Sequence, residues 1–287
     1  MPIFPSFSTL AGVLINENTC KQWLIQNGIV DSISTCSSCG DDVRIEDSLW
    51  RCRSRRCRKT SSIYKGSFFS LSKLSCAKVL QIGYFWLGGG NHSQIVNYTG
   101  CSKPTVTAYM GYYRQLVASS LDSEDTTIGG DGIIIELDES KFGKRKFHRG
   151  HRVEGVWVFG GVKRTPERRA FAEVVADRSA STLREVILRH VRPGSIVYTD
   201  LWRGYSDLES IGLLHDTVNH SLHFVSPTGV HTNAIEGTWN GIKLGVPPRN
   251  RNQQDMTPCL LDFIWRRKHS RDLWNGLIEV FKNVSYD

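Results

Sequence analysis

The sequence of 287 residues predicts an α/β protein, in which a mixed sheet with helices on its faces follows two smaller segments. Three observations favour this fold class. The order β-β-β-α-β-α-β-α can be followed through residues 132–250, two cysteine pairs lie within 36–57, and a basic stretch covers 51–121. Because 40% of the residues are apolar and 22% are charged, the chain can bury a core of ordinary size.

Turn signals and shifts in composition divide the chain. We expect six segments, namely a helical lead-in (1–35), a metal-binding ribbon (36–65), a basic helical segment (72–121), a polar linker (122–131), the α/β module (132–250) and C-terminal helices (251–287). The longest apolar stretch, 79–87, is too short to span a bilayer, and the N-terminus lacks the pattern of a secretory signal. The composition therefore predicts no association with a membrane.

The elements of the α/β module follow from its β-branched runs and its helix caps. We expect strands at 132–138, 155–162, 170–176 and 195–199, a weak fifth strand at 215–220, and helices at 181–191, near 205–211 and from 233 to about 244. The helix at 181–191 has Ser179 or Ser181 as its cap, and Pro193-Gly194 ends it.

Four of the eight cysteines have the spacing of metal ligands. Cys36 and Cys39 enclose two residues, Cys52 and Cys57 enclose four, and twelve residues separate the pairs. Four thiolates at this spacing predict a tetrahedral structural Zn²⁺ site with no position open for catalysis. Two disulfides in an oxidising compartment are the alternative.

Positive charge is concentrated in one part of the chain. The net charge is 36 − 28 = +8, yet residues 51–121 hold eleven Lys or Arg and no acid, so the remainder sums to −3. Such a block indicates a surface that faces nucleic acid, with a solubilising patch as the alternative. The candidate DNA-binding residues are Arg51, Arg53, Arg55, Arg56, Arg58, Lys59, Lys103 and Arg114, joined by Lys144, Arg145 and Lys146 in a basic loop that could equally be a solvated one.

Two short helices are predicted within the basic helical segment. Asn91 can cap the first, Gly100 supplies a turn, and Ser102 can cap the second, with Pro104 in its first turn. A buried stripe is expected from Val106, Met110, Tyr113 and Val117. The pattern predicts a DNA-binding helix-turn-helix, although any helical hairpin has a similar pattern.

Three carboxylates occur where the elements of the module end or begin. Asp138 is expected to end the first strand and Asp200 the fourth, while Glu236 lies in the first turn of the last helix. Burying unpaired carboxylates costs several kcal/mol, whereas Mg²⁺ or Mn²⁺ ions would compensate their charge. Alternatives remain for each: Glu136 or Glu139 in place of Asp138, a helix-capping role for Asp200, and a capping turn with Asn233 for Glu236.

Other side chains near these acids have less specific interpretations. His231 could approach a scissile phosphate or make a local turn bond, and Asn240 shares the helical face of Glu236. The aromatic residues of the module and the C-terminal helices are expected to pack rather than to stack on bases; they include Trp157, Trp202, Tyr205, Trp239 and Trp265.

Four motifs together resemble one family. They are Leu137-Asp138-Glu139-Ser140-Lys141-Phe142-Gly143, Gly155-Val156-Trp157-Val158-Phe159-Gly160-Gly161, Tyr198-Thr199-Asp200-x-Trp202-x-Gly204-Tyr205 and His231-Thr232-Asn233-x-Ile235-Glu236-Gly237. With the preceding zinc ribbon, they are similar to Merlin-type DNA transposases, relatives of certain bacterial insertion-sequence transposases. The resemblance covers roughly residues 36–270 and implies a ribonuclease H-like catalytic domain with the triad Asp138, Asp200 and Glu236.

The resemblance also implies an activity and its partners. We expect a cut-and-paste transposase with structural Zn²⁺ and catalytic Mg²⁺ or Mn²⁺, acting on double-stranded transposon ends and target DNA as a homodimer or higher oligomer. In a eukaryotic host it would act in the nucleus, and otherwise in the cytoplasm with the DNA. The alternatives are an inactive or domesticated DNA-binding copy and a ribonuclease H-like nuclease without strand transfer.

Overall fold

The computed structural model describes residues 4–30, 32–143, 155–218 and 230–284, with the side chain of Arg249 omitted. These residues form two compact units, one of 1–120 with 269–287 and the other of 121–268. Among the helices described, none is long and apolar enough to cross a bilayer. The predicted basic loop with Lys144, Arg145 and Lys146 lies outside the described residues.

The first unit combines a small sheet with six helices among its described residues. Its helices are α1 (Phe7–Ile15), α2 (Glu17–Gln26), α3 (Cys76–Leu87), α4 (His92–Thr99), α5 (Lys103–Ser119) and the C-terminal α10 (Leu273–Asn283), and its strands are β1 (Val43–Glu46), β2 (Leu49–Cys52) and β3 (Thr60–Ser62). The strands pair antiparallel in the order β1-β2-β3. Helix α3 is buried on nearly all sides, as its continuous apolar sequence requires. Gly83 of α3 lets the Tyr113 ring approach closely, and the Tyr113 hydroxyl donates to the Val79 carbonyl oxygen (2.8 Å).

The predicted pair of short helices is present as α4 and α5. Asn91 forms a capping box with Gln94, Gly100 adopts φ 66°, and the Ser102 side chain accepts the Thr105 N–H. The expected stripe is buried at Val106, Tyr113 and Val117, while Met110 is only half-buried and Leu116 is buried in addition. The buried face of α5 is therefore rotated slightly from the predicted one, toward Leu116 and away from Met110.

The second unit contains the larger sheet. Its elements are α6 (Ser123–Thr126), β4 (Ile128–Gly129), β5 (Ile134–Phe142), β6 (Val156–Lys163), β7 (Ala170–Val175), α7 (Ala180–His190), β8 (Val191–Arg192), β9 (Ile196–Thr199), β10 (Leu214–Thr217), α8 (Asn233–Gly245) and α9 (Gln253–Lys268). The stretch 122–131, expected to be a linker, contains α6 and β4, and the short helix expected near 205–211 is two single 3₁₀ turns. Ser179 caps α7.

The large sheet has the strand order β10-β9-β5-β6-β7. Strands β5, β6 and β7 are antiparallel neighbours, whereas β9 is parallel to β5 and β10 is parallel to β9. The expectation that the first strand ends at Asp138 is wrong, because β6 pairs with β5 as far as Phe142↔Val156. Asp138 thus lies in mid-strand, but the parallel pairing with β9 stops at Glu136↔Tyr198.

The two faces of the sheet carry separate cores. On one face, Leu137 and Phe159 pack with Leu183 of α7. On the other, Val158 packs with Trp239 of α8 and Leu260 of α9. Because side chains alternate along a strand, the even-numbered acids of β5 share the face of α8, whereas Glu139 shares the face of α7.

Candidate active site and metal centre

The four predicted metal-binding cysteines lie together in the ribbon of the first unit. Their Sγ atoms all lie within 4.8 Å of one another, with 3.4 Å between Cys39 and Cys52 and 3.8 Å between Cys36 and Cys57. A tetrahedron with Zn–S bonds of about 2.3 Å has edges of about 3.8 Å, so the group fits one Zn²⁺. All eight cysteines are free thiols, which disfavours the disulfide alternative.

Local backbone geometry prepares these thiols for a metal. The backbone N–H groups of Ser38 and Cys39 lower the pKa of the Cys36 thiol to about 7, which favours the thiolate that binds zinc, whereas the pKa values of the Cys39 and Cys52 thiols are raised by desolvation and by contacts with neighbouring thiols. Cys52 Sγ accepts the Ser54 N–H (3.4 Å), and Gly40 adopts φ 75° directly after the first pair. The sequence spacing therefore produces the site with few long-range contacts.

Most of the candidate DNA-binding residues that the structure describes are exposed. The exposed ones are Arg51, Arg53, Arg55, Arg56, Arg58, Lys59 and Lys103, and Arg114 is half-buried. Arg51 forms an ion pair with Glu46 across β1 and β2 (2.6 Å), so part of its charge is compensated within the ribbon. The other exposed residues of the ribbon keep a group of positive charges beside the second cysteine pair.

The three candidate catalytic acids come from three elements of the second unit. Extending the β5–β9 register by two residues sets Asp200 beside Asp138 on the face of α8, and Glu236 lies in the first turn of that helix. Burial, and to a smaller extent the charges of Asp200 and Glu236, raise the pKa of Asp138 to about 6 against the opposing hydrogen bonds from Trp239 and the Glu139 backbone. Asp138 is thus close enough to Asp200 and Glu236 for both of their charges to act on it.

The acids nevertheless do not form a ready-made ion site of the kind seen in the ribbon. Among the residues described, the cysteines are the group whose ligand atoms lie close enough for a single ion. Glu236 is exposed, and Asp200 Oδ1 accepts the backbone N–H of Trp202 (2.9 Å), as a turn-capping carboxylate does. The acids converge on one region of the sheet but stand further apart than the thiols.

The buried carboxylate of Glu136 anchors the helix that carries Glu236. Glu136 Oε2 accepts the backbone N–H groups of Ala234 (2.7 Å) and Ile235 (3.0 Å) at the start of α8. Thr232, the residue before this helix, makes no side-chain cap. Glu136 is 0% exposed. Its carboxylate caps the helix in place of a local side chain, although it belongs to a strand about a hundred positions earlier in the sequence. It is engaged by the helix and is not free as an alternative ligand.

The side chains of Arg164 and His231 accompany this anchor. Glu136 Oε1 lies 3.4 Å from Arg164 Nε and 3.6 Å from His231 Nδ1, and Arg164 donates from Nη2 to His231 Nε2 (2.6 Å). His231 Nδ1 also lies 3.4 Å from the backbone N of Asn233, the position of the local turn contact that was its alternative interpretation. His231 is therefore engaged in holding the start of α8.

Trp239 forms a second link between α8 and β5. Its Nε1 donates to Asp138 Oδ2 (2.8 Å), while the indole packs over Gly160, where a Cβ would lie 2.7 Å from the ring. Trp239 is in the core as expected, but its bond to a candidate catalytic acid was missed. A signal was present in the sequence, because paired glycines inside a strand indicate a close approach by another group.

Glu139 belongs to the opposite face. Burial and the charge of Asp138 raise the pKa of Glu139 to about 7, and the buried Tyr205 hydroxyl acts against this rise. Glu139 is thus separated from α8 by the sheet, which disfavours it as the partner of Glu236.

Comparison with known proteins identifies the relatives of this region. Residues 106–246 match the model of the ISXO2-like transposase domain. A transposase-like protein of Haemophilus influenzae, itself uncharacterized, is 36% identical over 75 residues, which are 26% of this chain and 60% of that protein. The matched segment includes strands β4 to β10, helices α7 and α8 and the three candidate acids, and over these residues the chain is similar to ISXO2-like transposases.

Proposed function

We propose that this protein is a cut-and-paste DNA transposase in which Asp138, Asp200 and Glu236 hold two divalent cations. The domain match supports a role in transposition. The observation that carries the assignment of the triad is the position of the other two acids around the buried Asp138, where burial first, and then the charges of Asp200 and Glu236, raise the pKa to about 6. A protein retains such a cluster at a cost in stability, which bound cations would offset.

The topology supports a ribonuclease H-like catalytic domain. Its first strand, β5, is central, the fourth long strand, β9, lies beside it, and α8 packs across the same sheet. This is the arrangement that the resemblance to Merlin-type transposases implies. The carboxylates of β5 and β9 then approach one another at the edge where the β5–β9 pairing ends.

Carboxylate oxygens suit Mg²⁺ or Mn²⁺, and a pair of such ions about 4 Å apart activates the attacking oxygen and stabilises the leaving oxygen. The side chains of the chain itself have positioning roles. Asp138 is held in mid-strand by pairing to Gly160 and by the Trp239 indole, while Glu136 fixes the helix of Glu236. Phosphodiester cleavage followed by attack of the 3′-hydroxyl on target DNA would use the same three acids.

DNA binding is assigned to the ribbon and to helices α4 and α5. The exposed arginines beside the cysteines and Lys103 at the start of α5 provide phosphate contacts, with α5 as the recognition helix of a helix-turn-helix. Zn²⁺ would act as a structural ion in this assembly. Simultaneous binding of two transposon ends would require a dimer or a higher oligomer.

Cleavage assays with acid variants test the proposal. The substrate is a plasmid that carries the DNA flanking this reading frame, incubated with Mn²⁺. Asp138→Ala, Asp200→Ala and Glu236→Ala should each reduce cleavage by at least about 10³-fold, as loss of charge stabilisation at a reacting centre does, and should leave DNA affinity within about twofold. Ca²⁺ should support binding but little cleavage, because its coordination is larger and looser.

Asp207→Ala is the matched control, because Asp207 is an exposed acid of the same unit that pairs with Arg184. It should cleave like the unaltered protein. Undiminished cleavage by any of the three triad variants would refute the assignment. Cleavage without joining of a 3′-hydroxyl end would instead indicate a nuclease, and binding without either reaction would indicate a DNA-binding relative.

A further inference from the structure

Two cations and two indoles alternate at one edge of the large sheet. Lys141 Nζ lies 5.2 Å from the ring centroid of Trp157, and Arg178 Cζ lies 4.3 Å from the centroids of both Trp157 and Trp202. We call these four residues the cation–indole ladder. Lys141 is three residues after Asp138 on β5, so it lies on the other face of the sheet, the face of Glu139 and α7, where Trp157 also packs. The ladder is linked to the candidate acids through Trp202, which follows Asp200 by two residues.

Trp202 was expected to pack, yet its side chain is partly open to solvent, with 39% of the residue exposed. The orientation of the Trp202 side chain is nevertheless fixed by its contacts. The indole Nε1 donates to the Arg178 carbonyl oxygen (3.3 Å), the backbone N–H donates to Asp200 Oδ1 (2.9 Å), and Gly204 leaves room for the ring. An exposed indole held by fixed contacts has little side-chain entropy to lose when another ring stacks on it.

The cations of the ladder have hydrogen-bonding capacity left. Arg178 and Lys141 each lie over the ring of Trp157, and the charge of Arg178 also lowers the pKa of Glu139. A guanidinium stacked between two rings keeps its N–H donors directed outward in its own plane. Those donors, with the exposed Lys141 ammonium, suit phosphate oxygens.

We propose that the cation–indole ladder binds unpaired DNA on the α7 face of the large sheet, next to Asp200, with a nucleobase stacked on Trp202 and the adjoining phosphates on Arg178 and Lys141. The proposal rests on the proposed function in one respect, since it takes DNA to be the polymer that reaches Asp200. Unpaired DNA is favoured over duplex because bases in a duplex already cover both their faces, whereas an unstacked base offers one face to an indole.

Fluorescence anisotropy tests the affinity. The probes are a labelled 20-nucleotide oligothymidylate and a labelled duplex, each titrated with the full chain at several NaCl concentrations. Trp202→Ala should weaken binding of the oligothymidylate by about 5- to 150-fold, the range for loss of one stacked base, and should leave duplex binding within twofold. Trp202→Phe should retain most of the affinity, and Lys141→Ala should reduce the salt slope by about 0.7.

Leu201→Ala is the matched control, because Leu201 is exposed and adjacent but has no ring to stack. It should bind both probes normally. Unchanged oligothymidylate affinity in Trp202→Ala, or an equal loss for oligothymidylate and duplex, would overturn the proposal. Circular dichroism of each variant excludes unfolding as the cause of a loss.

Photo-crosslinking locates the contact independently. An oligothymidylate with 5-iodouracil at one position should crosslink to the peptide that carries Trp202, and the yield should fall in Trp202→Ala. Crosslinks confined to the ribbon or to α5 would refute the ladder as the binding surface. If Trp202 crosslinks while the chain does not cleave DNA, the ladder stands and the proposed catalytic function fails; if cleavage occurs without a crosslink, the reverse holds.

Discussion

In our proposal the ribbon and the carboxylate site both bind metal ions, but the two sites differ in how closely their ligand atoms lie together. The Sγ atoms of the ribbon's four cysteines all lie within 4.8 Å of one another, whereas the three carboxylates do not form such a group among the described residues. Thiols can remain neutral and contact one another, but the carboxylate of Asp138 is repelled by Asp200 and Glu236. The difference shows that the spacing of ligands in the sequence can assemble a structural metal site, whereas a site of like-charged carboxylates needs tertiary contacts to keep those side chains together.

Those contacts are polar links from α8 to a single strand. Glu136 holds the first N–H groups of the helix, and the Trp239 indole bonds to Asp138 three residues further along the helix than Glu236. The four cysteines of the ribbon come instead from two turns joined by a hairpin. The predictions below test this contrast in order of the expected effect.

Cys39→Ser should have the largest effect on stability. In zinc fingers, metal binding contributes on the order of 10 kcal/mol to folding, so losing one of four ligands should unfold the ribbon and release the zinc. Zinc content and hydrogen exchange of residues 36–62 measure this effect. Cys101→Ser is the control, because Cys101 lies outside the cluster. A variant that keeps stoichiometric zinc would show that the four thiols do not act as one site.

Glu136→Ala should destabilise the second unit by about 3–5 kcal/mol, because it leaves Arg164 and two helix N–H groups without their buried partner. Glu136→Gln keeps an oxygen acceptor for those N–H groups and should cost less. Urea unfolding monitored by tryptophan fluorescence measures both. Equal stability of Glu136→Ala and the unaltered chain would mean that α8 docks through its apolar face alone.

Asp138→Asn should stabilise the chain at pH 7.5 in buffer without Mg²⁺ or Mn²⁺. The folded-state pKa of Asp138 is raised to about 6, so the folded form gains stability as the pH falls through about 6 and this gain is complete below the unfolded value near 4. An amide mimics the protonated acid, so the expected gain is about 1–3 kcal/mol at pH 7.5 and close to zero at pH 4. Thermal unfolding at both pH values measures it. A destabilised variant at pH 7.5 would argue that the acids do not repel one another.

Glu17→Gln should have the smallest effect. Burial raises the pKa of Glu17, but hydrogen bonds from Ala77 and Cys76 at the start of α3 outweigh it and leave the pKa lowered. This stabilisation is present above the unfolded pKa and is lost as the pH falls through the folded value. We expect a loss of about 0.3–1 kcal/mol at pH 7 that disappears in acid. Glu279→Gln, an exposed change on α10, should show no such pH dependence.

Much of this molecule follows from local patterns in the sequence. The cysteine spacing, the caps Asn91 and Ser102, and the β-branched runs of the large sheet predict their elements because each depends on neighbours a few residues away. The candidate triad was also named from motifs, with its residues 62 and 36 positions apart. These features need no knowledge of which elements pack together.

The contacts that position the candidate carboxylate site depend on the tertiary structure. The sequence does not show that Glu136 caps a helix 98 residues later, that Trp239 bonds to Asp138, or that Trp202 is exposed beside Arg178. The end of β5 was misplaced for the same reason, since the pairing with β6 carries the strand past Asp138 to Phe142. Each of these features depends on which distant segment shares a sheet face or a strand edge, and local propensity carries no information about that choice.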